Sequence, residues 1–350
     1  HPNIKIINLP SAGVLPNGRI QKIWLMCTYI FFAAIKSLVA PSVDINIFLS
    51  QPPLFALWGW FLKNLRGQHF MMLLMDIYPH IAVNYGVLRE NGKSVRVLTK
   101  LAELTWRQAD ELIVIGRCMK DVLISANVPT HKINFIPNWV NEQEIFPVSH
   151  KNNLLRHELN LDNKFVVLYS GNMGVSHEFS TILQAAELLI NENNIIFVFI
   201  GTGSKRPYLE LKKKQKNLHN LILLPMQPQK RLSESLSLGD VHLVTLREGF
   251  EGLAVPSKAY GAIAVERPII YIGHSDGEIA RMINEEQVGV VISPGDGERL
   301  ANAVLSYVRD NVEYTKQSKN AYELFKRSYT RENALNSYSK LFRRYAMGTP

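Results

Sequence analysis

Short apolar runs alternate with longer stretches of helical periodicity along almost the whole chain, the signature of βαβ units and parallel sheets. In the first half the strand candidates are residues 4–9, 45–49, 70–75, 111–115 and 133–136, with helices expected over 19–38, 54–65 and 95–109. From Asn138 to about Leu161 the chain turns polar, carries Pro147 and loses strand periodicity, so it reads as a linker with room for one short helix. The pattern then restarts. Strands are expected at 165–169, 195–200, 221–224, 241–246, 268–272 and 289–292, with helices at 180–190, 258–265, 277–285 and 299–308. Six strands with intervening helices predict a doubly wound domain. Residues 314–345 read as two closing helices with no strand after them, so they must pack on what precedes them.

Composition sharpens this picture without changing it. A chain of 350 residues, 47% hydrophobic, can bury two cores of ordinary domain size. Cys27 and Cys118 show neither pairing pattern nor CxxC spacing, and the ten histidines include no HExxH, so no disulfide framework and no protein-bound metal are expected. A reducing cytoplasm fits. The chain opens with His-Pro and carries no signal-peptide pattern.

Net charge +9 favours anionic partners: nucleic acid, an acidic lipid surface or a phosphorylated substrate. The basic residues are scattered and no helix-turn-helix, RNP or finger signature accompanies them, which argues against nucleic acid. The apolar stretch 23–35 is too short for a membrane span and reads as a buried or interfacial helix. Residues 54–66 combine aromatics with Lys63 and Arg66, as interfacial helices do, although a packed helix of an α/β domain explains the apolar positions equally well.

Candidate chemistry lies in three turns. After the strand ending at Tyr169 comes Ser-Gly-Asn-Met-Gly-Val-Ser-His, where Gly171 and Gly174 let the backbone approach an anion and aim N–H groups at it, as suits a phosphate. Such glycines are equally expected in any tight strand-to-helix turn. A second turn, Gly201-Thr202-Gly203 with Lys205, has the same character. The stronger feature is the segment from Arg247 to Lys258. There Ser257 stands as N-cap or in the first turn of a helix, and Lys258 brings its ammonium beside that helix's positive end. Two positive sources converging in this way call for an anion, which makes Lys258 the best single candidate for a diphosphate contact. An exposed lysine on an ordinary helix is the bland alternative.

Taken in order, Asp76-Ile77-Tyr78-Pro79, Ala109-Asp110 with Val114-Ile115, Phe135-Ile136-Pro137-Asn138, Gly171-Asn172-Met173-Gly174, Val255-Pro256-Ser257-Lys258, Arg267-Pro268 and Pro294-Gly295-Asp296 resemble the family 4 glycosyltransferases, particularly the colanic-acid, capsule and O-antigen branch. The resemblance implies an α/β chain of GT-B type: two Rossmann-like doubly wound parallel-sheet domains facing a cleft. Residues 1–145 would be the acceptor side, 146–330 the nucleotide-sugar side, and 331–350 a C-terminal helix crossing back to the N-terminal domain. It also implies a nucleotide-sugar donor, most commonly a UDP-sugar, a retaining reaction, no metal and no cofactor. The family's opening strand and glycine-rich acceptor loop have no counterpart before Ile4, so its first βαβ unit is expected to be absent from this chain.

Two departures redistribute the expected roles. Where many members carry Arg and Lys on the first C-terminal loop, this chain has Asn172 and His177; where they carry a second glutamate eight positions after the first, Glu251 is followed by Ala259. Lys258 and the Gly174 N–H are therefore expected to take the diphosphate, and Glu248 or Glu251 the donor hydroxyls. Gly171, Asn172, His177, Gly201, Gly203, Met226, Arg247 and Ser257 complete the expected donor site. Asp76 and His80, just beyond a strand's carboxyl end, are the candidate acceptor bases, although a cap or surface role explains each as well. The leaving phosphate could take that proton instead.

A lipid-diphosphate-linked or saccharide acceptor, and peripheral attachment to the anionic inner face of the plasma membrane, complete the expectation. The rival readings are a GT-B UDP-sugar epimerase or phosphorylase, or a non-catalytic membrane-associated sugar-nucleotide binder.

Overall fold

The computed structural model describes residues 5–9 and 19–346. Among these residues the chain forms two parallel sheets with helices packed about them. The first comprises β1 (Ile45–Leu49), β2 (His69–Leu74), β3 (Glu111–Val114) and β4 (Ile133–Phe135) in sequential order. Its helices are α1 (Arg19–Val39), α2 (Ala56–Arg66), α3 (His80–Asn84), α4 (Lys93–Gln108) and α5 (Arg117–Ser125).

The second sheet holds β5 (Phe165–Ser170), β6 (Ile195–Ile200), β7 (Leu221–Leu224), β8 (Val241–Thr245), β9 (Ile269–Ile272) and β10 (Gly289–Ile292) in the order β10-β9-β8-β5-β6-β7. With it run α6 (Leu154–Glu158), α7 (Ser180–Leu188), α8 (Arg206–Gln215), α9 (Leu232–Ser237), α10 (Lys258–Ala264), α11 (Glu278–Glu286) and α12 (Gly297–Arg309). Then α13 (Asn311–Leu324) passes through a π-turn at Phe325–Tyr329 into α14 (Arg331–Ala346).

The strands of the second sheet are continuous apolar runs because helices cover both faces. Val166, Val167, Leu168 and Tyr169 of β5 are all fully buried, as are Ile269 to Ile272 of β9. Strand order reverses between β5 and β8, which pair directly, so the loops leaving their carboxyl ends diverge and open a crevice. Both of the main candidate segments, 171–177 and 247–258, leave from that point.

One expected strand is not found. Ile4 lies outside the described residues, and Lys5–Leu9 runs irregular and mostly exposed, with Ile6 82% accessible. Apolar character alone does not make a strand: the backbone must also find a sheet edge to pair with, and this segment finds none.

The linker contains a short 3-10 turn and α6, and it is tied down by Arg156, whose guanidinium is buried. That group donates to the carbonyls of Leu238 (2.8 Å) and Lys164 and pairs with Asp240 at 3.1 Å, while Asp240 also accepts from the Val166 N–H at 2.6 Å. A charge so deep is tolerated because both terminal nitrogens are paired, although Nε is buried without a partner.

The chain returns to the first sheet at its end. Val140 N–H donates to the Tyr329 carbonyl at 2.9 Å and Arg331 N–H to the Val140 carbonyl at 3.1 Å. Beyond that point Leu341 of α14 is buried against Ile113 and Ile136, and the Tyr345 hydroxyl donates to Glu111 at 2.7 Å. The crossing helix is thus held by apolar packing and by a carboxylate of β3.

Candidate active site

The turn after β5 and the turn after β6 are locked backbone to backbone. Gly171 N–H donates to the Ile200 carbonyl at 2.8 Å, Met173 N–H to the Thr202 carbonyl at 2.6 Å, and Lys205 N–H to the Met173 carbonyl at 2.9 Å. Contact this close requires glycine. Gly201, at φ +138°, would place a Cβ 2.1 Å from the Gly171 oxygen, and Gly203, at φ +143°, would place one 2.4 Å from the Met173 oxygen. Arg206 braces the arrangement by donating to the carbonyls of Gly201 (2.6 Å) and Leu224 (2.7 Å). Met226, two residues beyond β7, is exposed beside it.

Lys258, the first residue of α10, lies against the same turn. A Cβ on Gly171 (φ +133°) would sit 2.7 Å from its Cε, so the missing side chain is what admits the lysine. Its ammonium stands 5.3 Å from the centre of the Tyr169 ring and donates to Nε2 of His177 at 3.0 Å. His177 Nδ1 lies 2.9 Å from the Thr245 carbonyl, which can only accept, so the proton is on Nδ1 and Nε2 is the acceptor. Burial, reinforced by the Lys258 charge, drives the His177 pKa down to about 4 and keeps the ring neutral. Burial likewise brings Lys258 down to about 8.

Among the described residues the N–H groups of Asn172, Gly174 and Val175 meet no protein acceptor. Unpaired N–H groups beside a desolvated ammonium form a seat for an anion. Arg247 borders it, donating from its backbone to the Ser176 carbonyl at 2.8 Å and from its guanidinium to the Val175 carbonyl at 3.2 Å. Ser257 stands at the N-cap position of α10, exposed and with helical dihedrals, and its side chain makes no capping bond.

The carboxylates lie to one side. Glu248 opens on a polar cleft of about 320 Å³ walled by Gly273, His274, Ser275, Val291, Ser293 and Pro294, beyond the carboxyl ends of β9 and β10. Glu251 uses one oxygen to accept from the Gly249 N–H at 2.7 Å, and its other oxygen is buried without a partner.

The same segment touches the first half of the chain. Asp76 and Ala254 form an antiparallel bridge, Ile77 N–H donates to the Leu253 carbonyl at 2.9 Å, Asn84 donates to the Gly249 carbonyl, and Tyr85 meets Phe250 edge to face at 5.1 Å. Asp76 therefore reaches the donor-side segment. Its carboxylate accepts from Gln51 Nε2 at 2.6 Å, and burial raises its pKa while that bond pulls the other way. His80 makes no hydrogen bond with Asp76 among the described residues. Burial lowers its pKa against the opposing pull of Glu103 of α4, and its Nδ1 is buried without a partner. The two candidate bases do not form a pair.

Sequence reading missed the partners that hold these groups: Thr245 and Tyr169 around the His177–Lys258 pair, Arg206 under the turns, and Gln51 on Asp76. None has a local motif, since each acts across the fold.

Comparison with known proteins fits this geometry. Residues 151–324 match the family described as glycosyl transferases group 1. WbjE of Pseudomonas aeruginosa, assigned as a glycosyltransferase, is 31% identical over 261 residues, 75% of this chain and 65% of its own length. WcaI of Escherichia coli (strain K12), assigned to glycosyl transfer in colanic acid biosynthesis, is 26% identical over 82% of this chain and 71% of its own. The chain thus spans about two thirds of the length of these relatives.

Among solved structures, the sucrose-phosphate synthase of Thermosynechococcus elongatus superposes with a TM-score of 0.78 at 17% identity, covering 98% of this chain and 84% of that one. Anabaena HepE in complex with UDP gives 0.73 at 13% identity, over 92% and 82%. These likenesses establish the two-sheet arrangement as the GT-B fold. The match to the glycosyl transferases group 1 family thus rests on residues 151–324, the half of the chain that holds the second sheet.

Proposed function

We propose that the protein transfers a sugar from a nucleotide-diphosphate sugar, a UDP-sugar, to a lipid-linked or saccharide acceptor in surface polysaccharide biosynthesis. In this reading anomeric configuration is retained and neither metal nor cofactor takes part. One observation carries the proposal: Lys258 is held against the glycine turn, beside unpaired N–H groups, at the point where strand order reverses. Anabaena HepE, of the same fold, has been solved with UDP-glucose, and WcaI is assigned to colanic acid synthesis; both agree with this donor and product class.

As the sugar–phosphate bond breaks, charge accumulates on the departing diphosphate while the sugar gains oxocarbenium character. Donors fixed on the phosphates then stabilise the transition state more than the bound substrate. Lys258 and the Asn172 to Val175 backbone are those donors. Glu248 and Glu251 take donor hydroxyls, and Met226, Gly201 and Gly203 border the nucleotide. The acceptor proton passes to Asp76 or to the leaving phosphate.

No helix among the described residues is long and apolar enough to cross a membrane. Trp24, Phe31 and Ile35 on α1 and Phe61 and Leu65 on α2 are nonetheless exposed, and with net charge +9 they suit peripheral attachment to the anionic inner face of the plasma membrane.

A thermal-shift screen of nucleotide sugars, followed by transfer assays with those that stabilise, tests the reading. Stabilisation by UDP-sugars with turnover is expected. Stabilisation without any turnover or donor hydrolysis makes the protein a sugar-nucleotide binder, and no response to any nucleotide sugar overturns both.

A further inference from the structure

An apolar cavity of about 350 Å³ opens in the first half of the chain, walled by Met26 of α1, Leu54 before α2, Met72 and Leu74 of β2, and Leu98 and Trp106 of α4. Its few polar groups are largely committed. Ser50 Oγ accepts from the N–H groups of Met75 (3.2 Å) and Asp76 (3.3 Å), and Thr105 donates its hydroxyl to the Leu101 carbonyl at 2.7 Å. Asp76, Tyr78 and the indole N–H of Trp106 are the polar side-chain groups left to address a ligand, the first two next to Pro79 in the chain. A nucleotide or free sugar pushed inside would leave its hydroxyls against hydrocarbon, at a cost that nothing on these walls offsets.

The cavity also leads somewhere. A shallower groove lined by Leu25, Tyr29 and Gln51 shares Met26, Pro52, Pro53 and Tyr78 with it and runs out along the exposed apolar side of α1. At this shared mouth Asp76 accepts from Gln51 of the groove at 2.6 Å and bridges to Ala254, four residues before Lys258. A ligand with its polar head at Asp76 faces the donor segment and leaves its hydrocarbon to the cavity and the groove along α1.

We propose that this cavity holds the hydrocarbon chain of a lipid-linked acceptor, so that the acceptor is a single long alkyl or prenyl chain bearing a polar head. The inference rests on the transferase reading for what the head does, but not for the binding of the chain. Apolar walls grip the chain by burial and carry no sequence of donors or acceptors, so they select chain length and not headgroup. Asp76, at the mouth, then meets the acceptor's reacting hydroxyl.

The test uses the whole chain and a series of alkyl phosphates of increasing length, each brominated at the far carbon and kept below its micelle concentration. Trp106 lines the cavity, so bromine seated there quenches its fluorescence. We expect saturable quenching whose affinity rises about fourfold per added methylene until the cavity is full. Trp106→Phe should abolish that signal. Ala102→Phe, which fills the cavity, should weaken binding at least tenfold; should that variant melt early, Val87→Phe at an exposed lining position makes the same measurement.

Quenching without a plateau, affinity independent of chain length, or binding unchanged by both fillers overturns the proposal. The failures are separable. A protein inert toward every nucleotide sugar but showing saturable, length-dependent quenching loses the transferase reading and keeps the chain site. One that glycosylates a water-soluble saccharide with no quenching loses the chain site alone.

Discussion

Lys258 gives a hydrogen of its ammonium to Nε2 of His177 at 3.0 Å, and His177 is fixed in the accepting tautomer by the Thr245 carbonyl. Among the described residues no carboxylate lies within 4 Å of that ammonium. A desolvated cation whose partners are a neutral ring and an aromatic face has much of its charge uncompensated, and an arriving diphosphate relieves this.

Replacing Lys258 by Met keeps the length and removes the charge. The variant should fold, since a desolvated ammonium is not a source of stability, and kcat/KM for the donor should fall on the order of 10²-fold. Steady-state kinetics beside a thermal melt separates the two effects, and an unchanged kcat/KM rejects the assigned role.

Burial brings Lys258 to about pH 8 in the free protein, which sets a pH dependence of known sign. Above that value the amine is neutral and donor affinity falls, whereas His177, near 4, stays neutral throughout. For folding the sign is opposite. Between about 8 and the ordinary lysine value of 10.5 the unfolded chain holds the proton and the folded one does not, so this group's contribution to stability rises with pH. UDP titrations from pH 7 to 9.5 should show a loss of affinity in the native protein that Lys258→Met lacks.

The glycines should divide by what their missing Cβ would meet. At Gly171 it meets the mobile end of Lys258, 2.7 Å away; at Gly201 it meets the Gly171 carbonyl, 2.1 Å away. Both residues sit at positive φ, so alanine at either adds backbone strain of about 1–3 kcal/mol. Gly201→Ala should therefore lower the melting temperature more, and Gly171→Ala should lose donor affinity out of proportion to its stability. Equal melting temperatures would contradict the backbone packing described here.

Both sheets could be read from apolar runs because parallel strands buried on two faces leave an unmistakable local pattern, as in 195–200 and 269–272. Lys5–Leu9 misleads for the complementary reason: periodicity reports what a segment could bury, not whether an edge exists to receive it. Lys258 and Gly171 stand out through local turn chemistry. Their juxtaposition across 87 residues of chain, and the pairing of Lys258 with His177 across 81, depend on the β5–β8 neighbourhood, which no local window contains. The separation of Asp76 from His80 was equally hidden, since four residues of turn and helix start can aim two side chains together or apart.

If Asp76 is the acceptor base, Asp76→Asn preserves the Gln51 contact in size and should lower kcat about 10²- to 10⁴-fold with little change in donor KM. Burial raises this carboxyl's pKa, so native activity should fall as pH drops through that raised value, and the variant should lose this acid limb. A rate close to native across the pH range removes Asp76 and leaves the proton to the diphosphate.

The two halves are fastened by a carboxylate that serves both. Glu278, the first residue of α11, is buried and accepts from the Arg117 and Cys118 N–H groups at the start of α5 and from the Arg117 guanidinium at 2.9 Å. It is in effect a capping group supplied across the interface, favoured by the helix dipole it faces. Glu278→Ala strands the two N–H groups, while the Arg117 guanidinium keeps Glu285 at 2.6 Å, and should cost about 2 kcal/mol, as for buried donors left without an acceptor. Arg281→Ala removes the outer Asp121 pair, at 2.9 Å between exposed groups, and should cost no more than about 1 kcal/mol. Denaturant unfolding of both variants gives the comparison. Parity between them would mean that Glu278 contributes no more to holding the halves together than an exposed ion pair does.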